Sequence, residues 1–314
     1  MPGYSGAVEG GFDGFRLDSY VAEKLKLLTR SQLKAKLLDA KLNGKPVKLS
    51  RPVQSGDMLE LAWADPEPLT LIPEDLPLDV LYEDDRVVVL NKAPGMVVHP
   101  GAGNRRGTLA NALLYRRLNR SGPPAALSSS VPGSCRPGIV HRLDKDTSGV
   151  IIASYDDAAL AFLADQFKER TVKKTYAAIV RGTPREAAGI IETRIVRDSR
   201  DRKRFAVSAD RGKAALTRYR VIRSWGAYSL LALQPRTGRT HQLRIHLRHL
   251  GHPILGDPVY GIPDRQFPKA GLMLHARTLV IILPGQDRPS LFKAPLPGRF
   301  REFIAGMADG AKGV

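Results

Sequence analysis

The stretch GIVHRLDKDTSGVIIAS, residues 138–154, carries a carboxylate between two cations at the entrance to an apolar run. Asp144 follows Arg142 by two residues and directly precedes Lys145, and residues 150–153 have the composition of a buried strand. Neighbours in an extended segment point to alternate sides, so Arg142 and Lys145 are better placed to meet a ligand than to pair with Asp144. An ionised aspartate in such a position can act as a nucleophile or as a base.

The whole chain is strongly basic. It has 314 residues, with 49 Lys and Arg against 31 Asp and Glu, which gives a formal net charge of +18. Such an excess usually serves a polyanion, either a nucleic acid or an anionic membrane surface, although a merely soluble cationic protein would share it. We find no signal peptide and no run long enough for a membrane span, and the single cysteine cannot form an internal disulfide. We expect a cytoplasmic protein that binds no membrane.

Proline and glycine positions divide the chain into two domains of unequal size. The Gly-rich residues 1–15 are expected to be flexible, and residues 16–64 to form a small domain. Four prolines mark residues 65–77 as a stiff, extended linker. The larger domain is expected over residues 78–303, followed by a short tail at residues 304–314.

The small domain has the pattern of two helices followed by a hairpin. Its apolar residues recur at helical spacing in two groups, Leu17, Val21, Leu25 and Leu28, and then Leu33, Leu37 and Leu38. Asn43-Gly44 is a signal for a tight hairpin turn, and residues 56–63 alternate as a short strand. Cations crowd the predicted helices densely enough to favour a phosphate-facing surface over an ordinary solvated face, and they include Lys24, Arg30 and Lys34.

The larger domain is predicted to be α+β, with a mainly antiparallel mixed sheet and flanking helices. Helices are expected at residues 107–118, 156–170 and 240–251. Strand-like runs outnumber them and are separated by loops of hairpin length. After residue 170 these runs are residues 175–182, 215–225, 228–236 and 279–284. This order lacks the regular alternation of strand and helix that builds a Rossmann sheet.

A metal site is one candidate for the histidine-rich segment. His246, His249 and His252 recur every three residues, which places them on roughly one helical face. Zinc sites usually recruit a carboxylate or thiolate as well, whereas the nearest neighbours here are Arg244 and Arg248, which repel a dication. We therefore expect no metal, and hydrogen bonding at a helix end for these histidines.

A second alternative is an aspartate-dependent phosphatase, with Asp144 as nucleophile and Asp146 as acid or base. In such enzymes a hydrophobic strand runs directly into the first aspartate, and magnesium-binding acids follow later in the chain. Here His-Arg-Leu intervenes, and the later acids Asp156 and Asp157 are too near for a separate loop. The sequence gives this alternative little support.

A third interpretation needs no metal and combines Asp144 with a guanidinium and an aromatic ring. Arg244 lies on a predicted helix in a basic cluster, and an opposite charge within about 4–6 Å would favour the ionised carboxylate. Tyr176 opens a strand and offers a flat ring on which a nucleobase can stack. An ordinary strand aromatic would look the same in the sequence.

Four motifs in the larger domain closely resemble those of a known enzyme family. They are NKAPGMVVHPGAGN, RPGIVHRLDKDTSGVIIAS, KKTYAAIVRG and RTGRTHQLRIHLRHLGHPILGDPVYG. Together they resemble the pseudouridine synthases of the large-ribosomal-RNA and tRNA group that carries an H-R-L-D signature. The resemblance covers nearly all of residues 78–300, and residues 16–63 resemble the small RNA-binding domain first described in a small-subunit ribosomal protein. This combination is similar to the bacterial enzymes that act on 23S rRNA, particularly those that modify a hairpin loop.

The resemblance implies a role for each of five site residues. Asp144 matches the essential catalytic aspartate, and Arg142 matches the arginine that helps to displace the target base from the RNA stack. Tyr176 matches the tyrosine that packs on the uracil, and Arg244 matches the arginine that pairs with the catalytic carboxylate. Leu274 matches an apolar residue of the pocket wall.

The implied activity is the isomerisation of specific uridines in 23S rRNA to pseudouridine, with RNA as partner and no cofactor. We expect a monomer, with further RNA contacts in the larger domain from Lys92, Lys145, Arg236 and Arg239. A non-catalytic ribosome-assembly factor would share the charge, the small domain and the stacking surface. It would not require an aspartate, an arginine and a tyrosine in matching motifs.

Overall fold

A computed structural model of the chain describes residues 3–310, apart from 29, 31–32, 34–36, 65–70, 102, 122–137, 199–200 and 202–203. The chain divides into two units, Met1–Thr70 and Leu71–Val314. Each unit has its own sheet and its own hydrophobic core. No helix in the described ranges is long and apolar enough to cross a membrane.

The first unit is a four-stranded sheet with a short helix packed against it. Its elements are β1 (Gly3–Ala7), α1 (Leu17–Ser19), which continues as a π-helical turn (Tyr20–Lys24), β2 (Leu37–Leu42), β3 (Lys45–Pro46) and β4 (Met58–Trp63). The strand order is β1-β4-β2-β3, and every pairing is antiparallel. Asn43 and Gly44 connect β2 to β3 with φ angles of 53° and 77°, which the hairpin's twist requires.

Two sequence-based expectations for this unit were wrong. Residues 3–7 are not a flexible leader, because they pair with β4 from Gly3–Ala62 to Ala7–Met58. Leu37 and Leu38 belong to β2 rather than to a second helix, because pairing with β4 overrides their helical spacing. Most of the preceding predicted helix lies outside the described residues.

The second unit contains a ten-stranded sheet. Its strands are β5 (Val80–Glu83), β6 (Val87–Lys92), β7 (Ser148–Ser154), β8 (Lys173–Arg181), β9 (Ala188–Arg197), β10 (Phe205–Ser208), β11 (Lys213–Ser224), β12 (Tyr228–Pro235), β13 (Leu274–Ile282) and β14 (Pro289–Lys293). The order is β10-β9-β11-β12-β8-β13-β7-β6-β5, with β14 on the far end of β13. Among the described strands β7 and β13 are parallel and the other neighbours antiparallel. The predicted α+β class with a mainly antiparallel sheet is confirmed.

Helices flank this sheet. They are α2 (Leu109–Ser121), α3 (Asp157–Glu169), α4 (Gln242–His249) and α5 (Gly298–Gly310). The last helix corrects the expected boundary at residue 303, because residues 304–310 continue α5 and Ile304 packs on the core. Part of the expected linker also belongs to this unit, since the Asn111 side chain donates to the carbonyl of Ile72 at 2.7 Å.

The loop that carries Asp144 is fixed where it enters β7. Gly149 has a φ of +115°, and a Cβ at this position would lie 2.2 Å from the carbonyl oxygen of Ala276 on β13. Only glycine lets the two parallel strands approach so closely. The backbone N–H of Thr147 closes a turn on the carbonyl of Asp144 at 3.1 Å. Thr147 and Gly149 therefore fix where the loop ends and β7 begins.

Candidate active site

A cavity of about 510 Å³ opens in front of the loop before β7. Its walls come from this loop, the end of α3, the start of β8, the loop before α4 and the start of β13. Asp144 is the one acidic residue among those that line it in the described part of the chain. The structure thus brings Asp144, Arg142, Tyr176, Arg244 and Leu274 to one cavity, as the resemblance implied.

Asp144 is held against Arg244 of α4. The guanidinium Nη1 lies 3.4 Å from Asp144 Oδ2, and the side chains are 6% and 19% exposed. The His241 ring lies behind the same oxygen, with Nε2 4.0 Å away. Both contacts involve Oδ2. Arg244 is placed here because it lies on the buried side of α4, in the middle of the helix's run of buried residues.

The main partner of Arg244 is Asp257, which the sequence analysis had not assigned to the site. Arg244 donates from Nε and Nη2 to the two Asp257 oxygens at 2.8 and 2.7 Å. Asp257 also accepts from the backbone N–H groups of Val259 and Tyr260, each at 2.9 Å. Burial opposes the charge of Asp257, yet these bonds and the guanidinium hold the pKa of its carboxyl below the ordinary value. One sequence signal was available, since Asp257 is the lone acid between residues 236 and 261.

His241 connects this ion-pair chain to an aromatic support. It caps the start of α4 in a left-handed conformation with φ 56°, and its Nδ1 lies 2.9 Å from the Tyr260 hydroxyl. That hydroxyl also accepts from the backbone N–H of Phe205 at 2.9 Å, and the Tyr260 ring lies 5.1 Å from the Arg244 guanidinium. Burial lowers the pKa of His241 although the charge of Asp144 opposes the change. The imidazole is therefore neutral near pH 7 and adds no second cation beside Arg244.

Tyr176 and Leu274 supply the apolar side of the site. Tyr176 lies on β8, paired with Leu233 of β12 and Ala276 of β13. Burial, and then the charge of Asp144, raise the pKa of its hydroxyl, so it stays protonated at neutral pH. Leu274 is buried at the start of β13 and lines the same cavity. A flat ring and an aliphatic wall beside a carboxylate suit an uncharged planar group such as a nucleobase.

Of the cations expected to contact RNA at the cavity, some are exposed and others are already hydrogen-bonded within the protein. Arg142 and Arg236 are exposed on the cavity rim, and Lys145 is exposed next to Asp144. Arg239 also lines the cavity but donates from Nε to the carbonyl of Ala214 at 3.1 Å. Arg142, Lys145 and Arg236 therefore have the freer side chains.

The assignment of Lys92 to RNA contact is corrected by the structure. Its side chain is 2% exposed, and Nζ donates to the carbonyls of Ala93, Met96 and Lys145 at 2.7, 2.9 and 2.9 Å. Burial lowers the pKa of this ammonium to about 8, while Asp146 and Asp144 oppose the change. Lys92 thus ties the turn after β6 to the loop of Asp144 and has no free face for a phosphate.

In the first unit, two of the three expected contacts are already paired. Lys24 lies 2.7 Å from Glu9, and Arg30 lies 3.2 Å from the buried Asp18. Both cations keep part of their side chains in solvent, so the pairing does not exclude a phosphate. Lys34 lies outside the described residues.

The histidines of the proposed metal triple have other partners. His246 lies between Thr193 and Thr217, at 3.0 and 2.9 Å, and burial lowers its pKa to about 4. His252 Nδ1 lies 2.9 Å from the carbonyl of Arg181. Among the residues that the structure describes, no group of three metal-ligating side chains comes together. Asp146 does not line the cavity with Asp144, so the geometry does not favour a pair of phosphatase carboxylates.

Comparisons with known proteins agree on one family. The profile of the family described as RNA pseudouridylate synthase matches residues 86–249. A "Ribosomal large subunit pseudouridine synthase D" of Borreliella burgdorferi is 43% identical over 305 residues, covering 94% of this chain and 90% of that protein. A protein with the same name from Xylella fastidiosa is 39% identical, covering 96% and 92%. Among solved structures, human RNA Pseudouridylate Synthase Domain Containing 4 is 28% identical with a TM-score of 0.58, covering 73% of this chain and 93% of that one.

Proposed function

The chain belongs to the RNA pseudouridylate synthase family, and from that membership we propose that it isomerises specific uridines of large-subunit ribosomal RNA, with Asp144 as the catalytic carboxylate. The reaction breaks the bond from ribose C1′ to uracil N1 and forms a bond from C1′ to uracil C5. A proton leaves C5 and another binds N1. The proton lost from C5 is balanced by the one gained at N1 and nothing is oxidised, so the chemistry requires neither an electron acceptor nor a second substrate.

The observation that carries the assignment is the chain of charges Asp144–Arg244–Asp257. Two of the three guanidinium nitrogens are held by Asp257, so Arg244 is fixed before any substrate arrives. Its Nη1 then restrains one oxygen of Asp144, whose side chain lines the cavity. A carboxylate positioned in this way is prepared to act on the ribose or the base without further ordering.

The uridine must leave its stack before it can reach Asp144. Unstacking costs a few kcal/mol, and less in a loop than in a duplex. The exposed Arg142 lies two residues from Asp144, where it can occupy the space that the base leaves. Tyr176 and Leu274, which line the same cavity, then receive the displaced ring. The site therefore supports recognition of a base flipped out of a single-stranded loop.

Two further features support ribosomal RNA as substrate. The relatives named above act, by name, on the large ribosomal subunit, and they match the chain over both units. The net charge of +18 suits a substrate with many phosphates. We propose a hairpin loop of 23S rRNA or its precursor as the target, bound by a monomer in the cytoplasm, with the first unit adding affinity.

Asp144→Asn tests the catalytic assignment. With RNA tritiated at uracil C5, we expect the wild-type chain to release tritium and the variant to release none, while RNA binding persists because the charge of one residue in a large basic surface changes. Asp85→Asn is the matched control, since Asp85 is almost fully exposed and is not among the residues that line the cavity. Tritium release by Asp144→Asn would refute the role of Asp144. Binding without release by the wild type would instead favour an assembly factor.

A further inference from the structure

One part of the cavity wall consists of residues that the proposed mechanism does not use. This part, which we call the Lys174 recess, is lined by His141, Phe167, Val172 and Lys174. Lys168 and Arg170, at the end of α3, form its rim and are exposed. None of these residues was among the expected RNA contacts. The recess is thus a part of the cavity to which no role has been assigned.

Lys174 is a largely buried cation without a counter-charge in the described part of the chain. Its ammonium lies 5.5 Å from the centre of the Phe167 ring, and no hydrogen bond or ion pair engages it there. Burial lowers the pKa of Lys174, and no acid opposes the change. Lys92 provides a contrast, since its fully buried ammonium has three carbonyl partners. Keeping a cation desolvated and unpaired costs free energy that a bound anion would recover.

The other walls of the recess are neutral and flat. His141 stacks on Phe167 with ring centres 4.6 Å apart, and its Nε2 accepts from the backbone N–H of Ile152 at 3.1 Å. Burial, and then the charge of Lys174, lower the pKa of His141 to about 3. The imidazole is therefore uncharged at pH 7 and does not compete with Lys174 for an anion. The exposed Lys168 and Arg170 add positive potential at the entrance.

We propose that the Lys174 recess binds a backbone phosphate of the RNA beside the target uridine, with Lys174 as its direct ligand. Lys174 and Tyr176 are two residues apart on β8, so they face the same side about 7 Å from each other. A base on Tyr176 and a phosphate at Lys174 can then belong to one strand. This inference rests on the proposed function, because it assumes that the cavity receives an RNA nucleotide.

The first test compares Lys174→Met with Lys173→Met in RNA binding. Lys173 is the matched control, since it precedes Lys174 on β8 and is exposed on the other side of the strand. We expect Lys174→Met to weaken binding of a hairpin substrate roughly 10- to 100-fold, the worth of a charged hydrogen bond. It should also flatten the plot of log affinity against log salt by about 0.7, the value for one phosphate of a single strand. Lys173→Met should leave the affinity for this hairpin close to that of the wild type.

The second test locates the phosphate. Hairpins in which one phosphate next to the target uridine is replaced by a neutral methylphosphonate are bound to the wild type and to Lys174→Met. At one position, we expect the methylphosphonate to weaken binding to the wild type. The same methylphosphonate should not weaken binding to Lys174→Met, which already lacks the ligand of that phosphate. Weakening by the methylphosphonate that is equal in both proteins, at every position tested, would overturn the contact.

Two controls separate this inference from its premise. Binding can be measured without turnover. If the wild type forms no pseudouridine, the proposed function is refuted, but the salt dependence and the methylphosphonate results still test whether Lys174 binds a phosphate. Inorganic phosphate is titrated against the hairpin to distinguish a site for free anion from a site for the RNA backbone. Two results together would overturn the assignment to RNA. Millimolar phosphate would displace the hairpin from the wild type but not from Lys174→Met, and no methylphosphonate would change the affinity. Melting curves of both variants confirm that they fold.

Discussion

At the scale of the residue, the site depends on how Arg244 divides its donors. Nε and Nη2 are used by Asp257, and Nη1 is left for Asp144. A planar guanidinium can bind one carboxylate side-on with two parallel bonds and direct a third nitrogen at a second carboxylate, whereas all the donors of an ammonium leave one nitrogen. Arg244 therefore forms a structural ion pair and, in the proposed mechanism, also positions the carboxylate of Asp144, and the two roles can be separated by mutation.

Arg244→Met is expected to affect both roles. Asp257 would remain buried without a counter-charge, which costs about 3–5 kcal/mol of the free energy of unfolding. Asp144 would lose its restraint, which should lower kcat on the order of 100-fold.

In Arg244→Met combined with Asp257→Asn, no buried charge is left unpaired, so we expect stability to recover while kcat stays low. Denaturant unfolding and single-turnover kinetics measure the two effects, and near-normal kcat in either variant would rule out the positioning role.

Sequence reasoning at this scale identified the residues that meet the cavity but not those behind them. Asp144, Tyr176 and Arg244 stand in distinctive motifs, and the structure places them together. The role of Asp257 depends on contacts across 13 residues and a helix end, which spacing alone does not reveal. Lys92 looked like a surface cation, because a lysine that is satisfied by three carbonyls has no distinct sequence pattern.

At the scale of the element, the position of α4 determines the position of Arg244. The helix docks on β9 and β11 through His246, which is bonded by Thr193 on one strand and Thr217 on the other. Burial, and then His249, lower the pKa of His246 to about 4. Since an unperturbed histidine titrates near pH 6.5, the unfolded chain binds a proton between these values that the folded chain does not.

The stability of the protein is therefore expected to fall as pH decreases from about 6.5 to 4. His246 contributes at most roughly 3 kcal/mol of this loss. His246→Gln keeps two hydrogen-bonding groups without the titration, so its free energy of unfolding should depend less steeply on pH in this window. His249→Gln removes only the smaller effect of a neighbouring charge on His246, so its slope should lie closer to that of the wild type than to that of His246→Gln. Denaturant titrations at several pH values check the slopes, and identical slopes for His246→Gln and wild type would contradict the account.

Most strands of the large sheet could be predicted from the sequence, because the positions of their apolar residues match the positions that are buried in the sheet. The run at residues 279–284 was recognised, but β13 begins earlier, at Leu274, where it pairs with both β7 and β8. The errors in the first unit have one physical origin. Residues 3–7 and Leu37 become strands through pairing with β4, a long-range contact that local propensity does not contain.

At the scale of the whole molecule, two units share one basic chain. The larger unit holds the cavity with its carboxylate, and the smaller has its own sheet and core. Because each core is closed within its unit, a chain of residues 71–314 is expected to keep the chemistry on a short hairpin. It should lose affinity for long RNA, since it lacks the cations with which we propose that the first unit contacts phosphates.

The most direct test of the central claim is a map of pseudouridine in total RNA from cells with and without the gene. We predict that deletion removes pseudouridine from one or a few neighbouring sites in a 23S rRNA hairpin loop. The intact gene should restore these sites, and the gene with Asp144→Asn should not. An unchanged map after deletion, or full restoration by Asp144→Asn, would contradict the account. Loss confined to tRNA would retain the chemistry and refute the ribosomal substrate.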